Sequence, residues 1–286
     1  MYVVLGPTGH TGSTVAETLL SQGQSVRVVV RAPEKGASWK ARGAEVAVAS
    51  YQDRIAMMKA LAGAQGVYLL APPNYAAVSW LEEQRRILDL VAQAVKESGI
   101  AHVVFLSSEG AQLPEGTGPI LAERDAEAKL GAVAKNITFL RPAYFFENWE
   151  PVLDVAKTQG LLPTFIPPDM KIPMISTQDI GRIAAERLMA GPRGREVLEL
   201  SGPEAYSPEQ VAAALSQLFK RPVTTQLAPL SEVVPTFKSF GFSDEAAALF
   251  EELYRGFVNG SIGYEYPESV VRGVVTLSQA LSKMTA

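Results

Sequence analysis

The stretch that decides the fold is Gly6-Pro7-Thr8-Gly9-His10-Thr11-Gly12-Ser13, near the start of a chain of 286 residues. An apolar run at residues 2–5 precedes this stretch and predicts a short strand. Apolar residues at helical spacing follow it and predict a helix over residues 11–22. A strand, a glycine-rich turn and a helix in this order predict the first unit of a parallel α/β sheet.

The three glycines of this turn, Gly6, Gly9 and Gly12, form G-x-x-G-x-x-G, a spacing variant of the dinucleotide-binding fingerprint. In that fingerprint the first glycine allows the tight turn, the second lets the backbone approach a diphosphate, and the third lets the helix lie close to the strand. Free N–H groups at the helix N-terminus then attract the phosphates. We therefore predict cofactor contacts from Gly6, Thr8, Gly9, His10, Thr11 and Gly12. The alternatives are a turn that binds nothing and, for His10, packing under the loop.

Short apolar runs alternate with helical patterns as far as residue 140. Strands are predicted at residues 26–30, 45–49, 66–70, 102–106 and 137–140, and helices at residues 33–42, 54–61, 80–97 and 123–134. This alternation requires right-handed crossovers and a parallel sheet covered on both faces. The predicted fold class is α/β, a Rossmann-type doubly wound parallel sheet with a smaller, mostly helical C-terminal lobe.

Six prolines between residues 142 and 173 interrupt this regularity and predict a second lobe. We predict that residues 1–148 form an NAD(P)-binding Rossmann domain, to which residues 171–200 return. Residues 149–170 and 201–286 are predicted to form the smaller, substrate-binding lobe. In this lobe, Ser207 and Pro208 are expected to begin a helix.

Composition and charge limit the functional classes. The 26 basic and 30 acidic residues are interspersed and give a net charge of −4, so a nucleic-acid-binding surface is not supported. No metal is predicted, because the chain has no cysteine and only two histidines. The longest uncharged stretch, residues 60–81, is interrupted by glycines and prolines, and the N-terminus lacks the basic lead of a secretory signal. We expect a cytoplasmic protein without a membrane span, with a homodimer as the candidate oligomer.

The residue after the second predicted strand indicates which dinucleotide is bound. An acidic residue there would bond the ribose 2′-hydroxyl of NAD, but this chain has Arg31 after Val28-Val29-Val30. The planar guanidinium suits a phosphate, so NADP(H) is favoured over NAD(H). A solvated arginine at a strand end is the alternative interpretation.

Two further strand ends are expected at the same edge of the sheet. Ala71 and Pro72 follow the fourth predicted strand, and we expect them to flank the dinucleotide. Ser107 and Ser108 follow the fifth, where a hydroxyl is expected to point into the cleft. The alternatives are a rigid proline turn and ordinary serine caps.

Three longer segments add to these features: Val30-Arg31-Ala32-Pro33-Glu34-Lys35, Leu140-Arg141-Pro142-Ala143-Tyr144-Phe145-Phe146-Glu147-Asn148 and Ile175-Ser176-Thr177-Gln178-Asp179-Ile180. Together they resemble the NmrA-like branch of the atypical short-chain dehydrogenases/reductases, and within it the quinone oxidoreductase type 2 and triphenylmethane reductase group. The resemblance extends from residue 1 to about residue 218. It implies a Rossmann-type fold, NADP(H) as cofactor, contacts to that cofactor from Pro142 and Tyr144, and a quinone-like substrate.

The wider superfamily typically carries a catalytic Tyr with a Lys four residues later. None of the nine tyrosines here has a lysine at that spacing, so catalysis by this pair is excluded. A quinone can accept hydride and take its proton from water, so such acceptors tolerate the missing pair. Tyr144 and Ser108 are the candidate catalytic residues. The aromatic run from Tyr144 to Trp149 either stacks a flat acceptor or seams the two lobes, and Tyr75 is a candidate lid over the cofactor.

These observations support two functions of different classes. The first is an NADPH-dependent oxidoreductase that transfers hydride to a quinone-like or other conjugated acceptor without a Tyr/Lys pair. The second is a non-catalytic, NADP(H)-sensing regulator that binds a protein partner. An isomerase or epimerase that holds NAD tightly is a third interpretation, which Arg31 opposes.

Overall fold

The computed structural model describes residues 1–285, and a sheet of eight strands forms its centre. The strands of the chain are β1 (Tyr2–Leu5), β2 (Val26–Val30), β3 (Glu45–Val48), β4 (Gly66–Leu70), β5 (Val103–Leu106), β6 (Ile137–Pro142), β7 (Tyr144–Phe145), β8 (Leu161–Thr164), β9 (Ile172–Ile175), β10 (Arg195–Ser201), β11 (Ala205–Tyr206), β12 (Thr224–Leu227) and β13 (Val271–Arg272). The helices are α1 (His10–Ser21), α2 (Ala37–Ala41), α3 (Arg54–Leu61), α4 (Trp80–Ser98), α5 (Leu121–Val133), α6 (Leu153–Gln159), α7 (Thr177–Ala190), α8 (Pro208–Phe219), α9 (Val233–Ser239), α10 (Asp244–Val258) and α11 (Leu277–Thr285).

The large sheet has the strand order β13-β10-β6-β5-β4-β1-β2-β3, and its paired strands are parallel. The chain runs from β1 through β2 to β3 on one side and from β4 through β5 to β6 on the other. The order therefore reverses beside β1, where Tyr2 pairs with Val26 of β2 and Gly66 of β4. This arrangement confirms the predicted Rossmann-type, doubly wound sheet and places a binding crevice at the carboxyl ends of β1 and β4.

Each face of the sheet is covered by its own hydrophobic core. On one face, β-branched and aromatic strand residues pack against α3, α4 and α5 through residues such as Leu61 and Leu130. On the other face, the strands pack against α1 and α7 through residues such as Leu19 and Ala184. Because both faces are buried, the strands are almost continuously apolar, as their runs in the sequence predicted.

A third core lies in the C-terminal part of the chain and includes Phe146, Trp149 and Leu215. The helices α6, α8 and α11 contribute to it, and the predicted start of α8 is confirmed by a capping box between Ser207 and Gln210. Two small sheets accompany these helices, one of β11-β9-β7 and one of β12-β8. The strand β13, from the segment predicted for the smaller lobe, pairs with β10 in the large sheet.

The helix predicted over residues 33–42 is divided into a 3₁₀ turn, Pro33–Gly36, and the short α2. Gly36, where the 3₁₀ turn ends, lies close to β3, since a Cβ at this position would be 2.4 Å from Val46 Cγ1. Among residues 1–285, no helix has both the length and the apolar character that a membrane crossing requires.

Candidate active site

The glycine loop between β1 and α1 depends on two of its glycines for its own geometry. Gly6 has φ +66°, in the left-handed region that favours glycine. A Cβ on Gly12 would lie 2.2 Å from the Gly6 carbonyl oxygen, so only glycine allows α1 to begin this close to β1. A Cβ on Gly9 would meet Gly6 O at an ordinary 3.6 Å. The fold therefore tolerates a side chain at residue 9, and the space that glycine leaves there opens outward.

The N-terminus of α1 lies at this opening. Its first intrahelical hydrogen bond runs from Ser13 N–H to Gly9 O at 3.0 Å, so the amides of the first turn before Ser13 have no acceptor within the helix. Gly9 is the N-cap residue and supplies no side chain to cap them. Thr8, Gly9 and His10 are exposed. Unpaired amide groups at a solvent-exposed helix N-terminus are suited to binding a diphosphate.

Two side chains of the predicted diphosphate loop are already engaged. The hydroxyl of Tyr68 on β4 donates to Thr11 Oγ1 at 2.9 Å, so Thr11 is left to act through its amide. His10 Nε2 lies 3.3 Å from a carboxylate oxygen of Glu150, and both side chains are solvent-accessible. The structure thus orients His10 toward the smaller lobe and does not pack it under the loop.

Arg31 ends up one strand away from the glycine loop, because β2 is the neighbour of β1. It is exposed at the carboxyl end of β2. Close by, the hydroxyl of Tyr51 is buried and has no hydrogen-bond partner among the described residues. Burial raises the pKa of Tyr51, and the positive charge of Arg31 acts in the opposite direction. An exposed guanidinium beside an unsatisfied hydroxyl fits the phosphorylated ribose of NADP(H).

The loop after β4 lies on the other side of β1. Ala71 and Pro72 are half-buried there, and the Pro72 carbonyl accepts a hydrogen bond from Gln84 of α4 at 3.1 Å. Tyr75 follows in an aromatic cluster, stacked on Phe242 with ring centroids 4.6 Å apart. Phe237 and Phe250 complete this cluster with stacked rings at 4.6 Å. The Tyr75 ring packs beside Phe242 and the α10 residue Phe250, and its role as a lid over the cofactor stays a prediction.

The expectation that the Ser107 hydroxyl points into the cleft is wrong. Ser107 is buried, and its hydroxyl donates to Glu127 Oε1 of α5 at 2.6 Å. The same carboxylate forms a bidentate pair with Arg141 of β6 at 2.8 and 2.7 Å. Arg141 also donates to Glu265 at 2.5 Å. Because these charges are buried and mutually satisfied, Ser107 belongs to the support beneath the site.

The next strand end, that of β6, brings Pro142 and Tyr144 to the same edge. Pro142 is buried and its carbonyl accepts the Glu109 N–H at 3.0 Å. The Tyr144 ring packs on Trp149 and Phe257, with centroids 6.1 and 5.9 Å apart. Burial beside Tyr254 holds the pKa of Tyr144 well above its usual value, so its hydroxyl stays protonated at neutral pH.

Sequence reasoning missed Glu109, which directly follows Ser107 and Ser108. Glu109 is 5% exposed, and its carboxyl group makes no hydrogen bond within residues 1–285. Glu109 lines a cavity of about 140 Å³, together with Met170, Lys171, Ile172, Pro173, Phe257, Gly260 and Ile262. Burial raises the pKa of this carboxyl to about 8, and repulsion from Glu199 adds to the effect. One signal in the sequence could have revealed Glu109: an acidic residue directly after the two serines that follow the fifth predicted strand.

Ser108, the other candidate, is half-buried and donates its hydroxyl to the Glu109 carbonyl at 3.0 Å. Within the part of the chain that the structure describes, no group of three or more histidine, aspartate or glutamate side chains could hold a metal ion. The carboxyl edge of the sheet thus combines a dinucleotide cradle with an apolar cavity that contains one acidic group.

A sequence model of the NmrA-like family matches residues 2–278, nearly the whole chain. The chain belongs to the NmrA-like family. The prediction of family membership made from the glycine loop, Arg31 and the segments after β6 is thereby confirmed.

Other NmrA-like and related proteins align over most of their length. The chain is 26% identical over 258 residues to the NAD(P)H azoreductase of Xenophilus azovorans, covering 89% of this chain and 86% of the relative. It is 27% identical over 269 residues to quinone oxidoreductase 2 of Escherichia coli, covering 92% and 90%. Both relatives are named as reductases or oxidoreductases, in agreement with the predicted enzyme class.

Two solved structures share the fold. The NADPH-dependent quinone oxidoreductase of Escherichia coli, in complex with NADPH, superposes with a TM-score of 0.84 at 24% identity, and 100% of each chain is covered. The triphenylmethane reductase of Citrobacter sp., in complex with NADP(H), superposes with a TM-score of 0.82 at 18% identity, and 99% of each chain is covered. The fold of this chain is therefore shared with both structures over nearly its whole length.

Proposed function

We propose that this protein is an NADPH-dependent oxidoreductase that transfers hydride to a quinone-like or other conjugated aromatic acceptor. The observation that carries the proposal is the arrangement at the sheet's switch point, where the glycine loop and α1 lie beside Arg31 at the end of β2. The reductase names of relatives aligned over most of the chain support it.

The chain's own residues would hold the cofactor in a fixed order along the sheet edge. The amides of the first turn of α1 bind the diphosphate, with Thr8 and Gly9 at its open side. Arg31 pairs with the 2′-phosphate, which is why NADPH is expected to bind more tightly than NADH. Bound NADPH would supply a hydride from its nicotinamide ring, and Ala71 and Pro72 would cover part of the dinucleotide from water.

The acceptor would lie in the cavity between β5, β9 and the end of α10. Its volume of about 140 Å³ admits one ring of such an acceptor, since an engineered cavity of roughly 150 Å³ holds benzene, and the other rings of a larger acceptor would lie outside it. Phe257 lines this cavity and contacts Tyr144, so a flat ring would find aromatic surface on that side. A conjugated acceptor suits such a site, because its charge is delocalised as it is reduced.

Mixing purified protein with NADPH and a panel of quinones and azo compounds tests the proposal. The expected result is acceptor-dependent loss of nicotinamide absorbance, faster with NADPH than with NADH. NADPH binding without turnover on any acceptor would contradict it and would favour the NADP(H)-sensing alternative.

A further inference from the structure

We propose that Glu109 is the proton donor of this site and that, given the function proposed above, its carboxyl group protonates the acceptor atom that gains negative charge during hydride transfer. The Tyr/Lys pair of the wider superfamily is missing from this chain. The structure offers a carboxyl group at a different place, on the loop after β5, as its substitute.

The position of Glu109 is fixed by backbone contacts to the neighbouring strand. Its N–H donates to Pro142 O at 3.0 Å, and its carbonyl accepts the Ser108 hydroxyl at 3.0 Å. These bonds hold the residue at the carboxyl ends of β5 and β6, next to the strand end that carries Tyr144. Its side chain is free to serve a ligand, because it has no hydrogen-bond partner among the described residues and borders the cavity.

The groups around the carboxyl favour its protonated form. Glu199 on β10 repels it, and that carboxylate is itself held by the N–H groups of Glu265 and Tyr266 at 2.7 Å each. Tyr264, in the segment after α10, also faces Glu109, and its own pKa is raised by burial and by the charge of Glu109. Lys171, before β9, is the cationic residue of the cavity lining and is exposed. Burial and repulsion together keep a proton on Glu109 at neutral pH.

The proposed step balances. Hydride from NADPH brings one hydrogen and two electrons to a neutral quinone or azo acceptor, which becomes an anion while NADP⁺ forms. The O–H bond of Glu109 breaks, and its proton bonds to the anionic oxygen or nitrogen. Glu109 is left as a carboxylate and regains a proton from solvent before the next turnover. A protonated carboxyl positioned in this way acts as a general acid.

Other acidic groups near the cleft fit this role less well. The Tyr144 hydroxyl has a pKa raised well above its usual value, so it gives up a proton less readily than Glu109. Glu123 on α5 also has a raised pKa, to about 7, because of burial, but it does not line the cavity. Glu109 both lines the cavity and has a carboxyl group that is protonated at neutral pH but can still give up its proton.

The test compares two acceptors that differ in their need for a proton. A naphthoquinone becomes an anion when it accepts hydride, whereas a cationic triphenylmethane dye becomes neutral and needs no proton. Glu109→Gln should lower kcat/KM for the naphthoquinone by about 10²-fold, lower kcat/KM for the dye much less, and leave the Kd for NADPH unchanged. The wild-type quinone rate should fall as the pH rises past about 8, and the variant should lose that dependence.

Glu115→Gln is the matched control, because Glu115 is an exposed carboxylate in the same segment between β5 and α5. An equal loss on both acceptors, or an unchanged quinone rate and pH profile in Glu109→Gln, would overturn the assignment. If the wild type reduces neither acceptor, the proposed function fails instead.

Infrared difference spectroscopy of the protein without cofactor then decides the role of Glu109 separately. A protonated-carboxyl band that disappears as the pH passes about 8, and that Glu109→Gln lacks, is the expected result. A wild-type spectrum without that band at pH 7 would overturn the proposal.

Discussion

Arg31 is the residue that we propose sets the choice between two cofactors. NADPH and NADH differ by a phosphate on one ribose, and Arg31 is exposed at the strand end that this ribose would approach. A guanidinium offers that phosphate a charge-assisted pair and offers a plain 2′-hydroxyl much less. The proposed preference for NADPH therefore depends on this residue.

Arg31→Ala should weaken NADPH binding by about 1.5–3 kcal/mol and change NADH binding little, because only the phosphate contact is lost. Isothermal titration calorimetry with both dinucleotides measures the difference. Arg193→Ala is the control, since Arg193 is exposed in the loop before β10, at the opposite edge of the sheet. Equal losses for NADPH and NADH in Arg31→Ala would refute the assignment.

At the scale of elements, the contact between β1 and α1 separates two roles that glycine plays in one loop. Gly12 is required by the fold, because a Cβ there would collide with the backbone of Gly6. By the same measure the fold tolerates a side chain at Gly9, and we propose that the small size of this residue serves the ligand. Substitution at the two positions should therefore have different consequences.

Gly12→Ala should destabilise the fold by about 3 kcal/mol, because the loop and helix must move apart. Gly9→Ala should fold normally but weaken NADPH binding about tenfold, since its methyl group would occupy the path of the diphosphate. Urea unfolding and NADPH titration of both variants check this. A lower free energy of unfolding for Gly9→Ala would show that the fold also requires glycine at residue 9.

A second element-scale contact is the pair between α5 and β6, Glu127 with Arg141. Glu127→Gln should cost about 3 kcal/mol of unfolding free energy, because it leaves a buried guanidinium with a weaker partner. Asp125→Asn on the same helix is the control. Its pair with Arg85 is more exposed, and its loss should cost less than about 1 kcal/mol. Similar costs for the two variants, measured by urea unfolding, would contradict this account.

At the scale of the whole molecule, Glu109 couples folding stability to pH. The carboxyl has an ordinary pKa of 4.5 when unfolded and about 8 when folded. Between these values the folded chain binds more protons than the unfolded chain. Its contribution to stability is therefore complete below pH 4.5 and is lost as the pH rises through about 8.

The loss should be on the order of a few kcal/mol, and it should be seen as the difference between wild type and Glu109→Gln. Urea unfolding at pH 5, 6.5 and 8 is the measurement, with Glu115→Gln expected to follow the wild type. Parallel curves for wild type and Glu109→Gln would show that the Glu109 carboxyl is ionised in the folded protein at these pH values.

The parts of the fold that sequence could predict are those set by local periodicity. The runs that form β1 to β6 and the helices between them alternate clearly, because every one of these strands except the edge strand β3 is largely buried, and the helices are buried on one face. The pairing of β13 with β10 was not predictable, since it joins residues about seventy positions apart. The fate of Ser107 was equally hidden, because Glu127 and Arg141 reach it only after α5 packs on the sheet.

The candidate site also combines features that the local sequence predicts with features that depend on contacts between distant residues. Its glycine loop and Arg31 are local features of the sequence, and their positions are those expected from the strand order. Glu109 acquires its character from distant segments, since Phe257 and Ile172 close the cavity around it. Sequence reasoning treated a catalytic acid as dispensable because a quinone can take its proton from water. It could not find Glu109, because the burial of a single glutamate cannot be read from its neighbours in the chain.

The aromatic cluster around Tyr75 joins the loop after β4 to the segment between α9 and α10. Tyr75 lies four residues beyond Ala71, its carbonyl accepts the Ser243 N–H at 2.8 Å, and its ring stacks on Phe242 before α10. A displacement of α9 and α10 should therefore also displace residues 71–77, which include Tyr75. If the dinucleotide lies against Ala71 and Pro72 as proposed, entry of a bulky acceptor under these two helices should weaken nucleotide binding, and nucleotide exchange should become faster when acceptor is present.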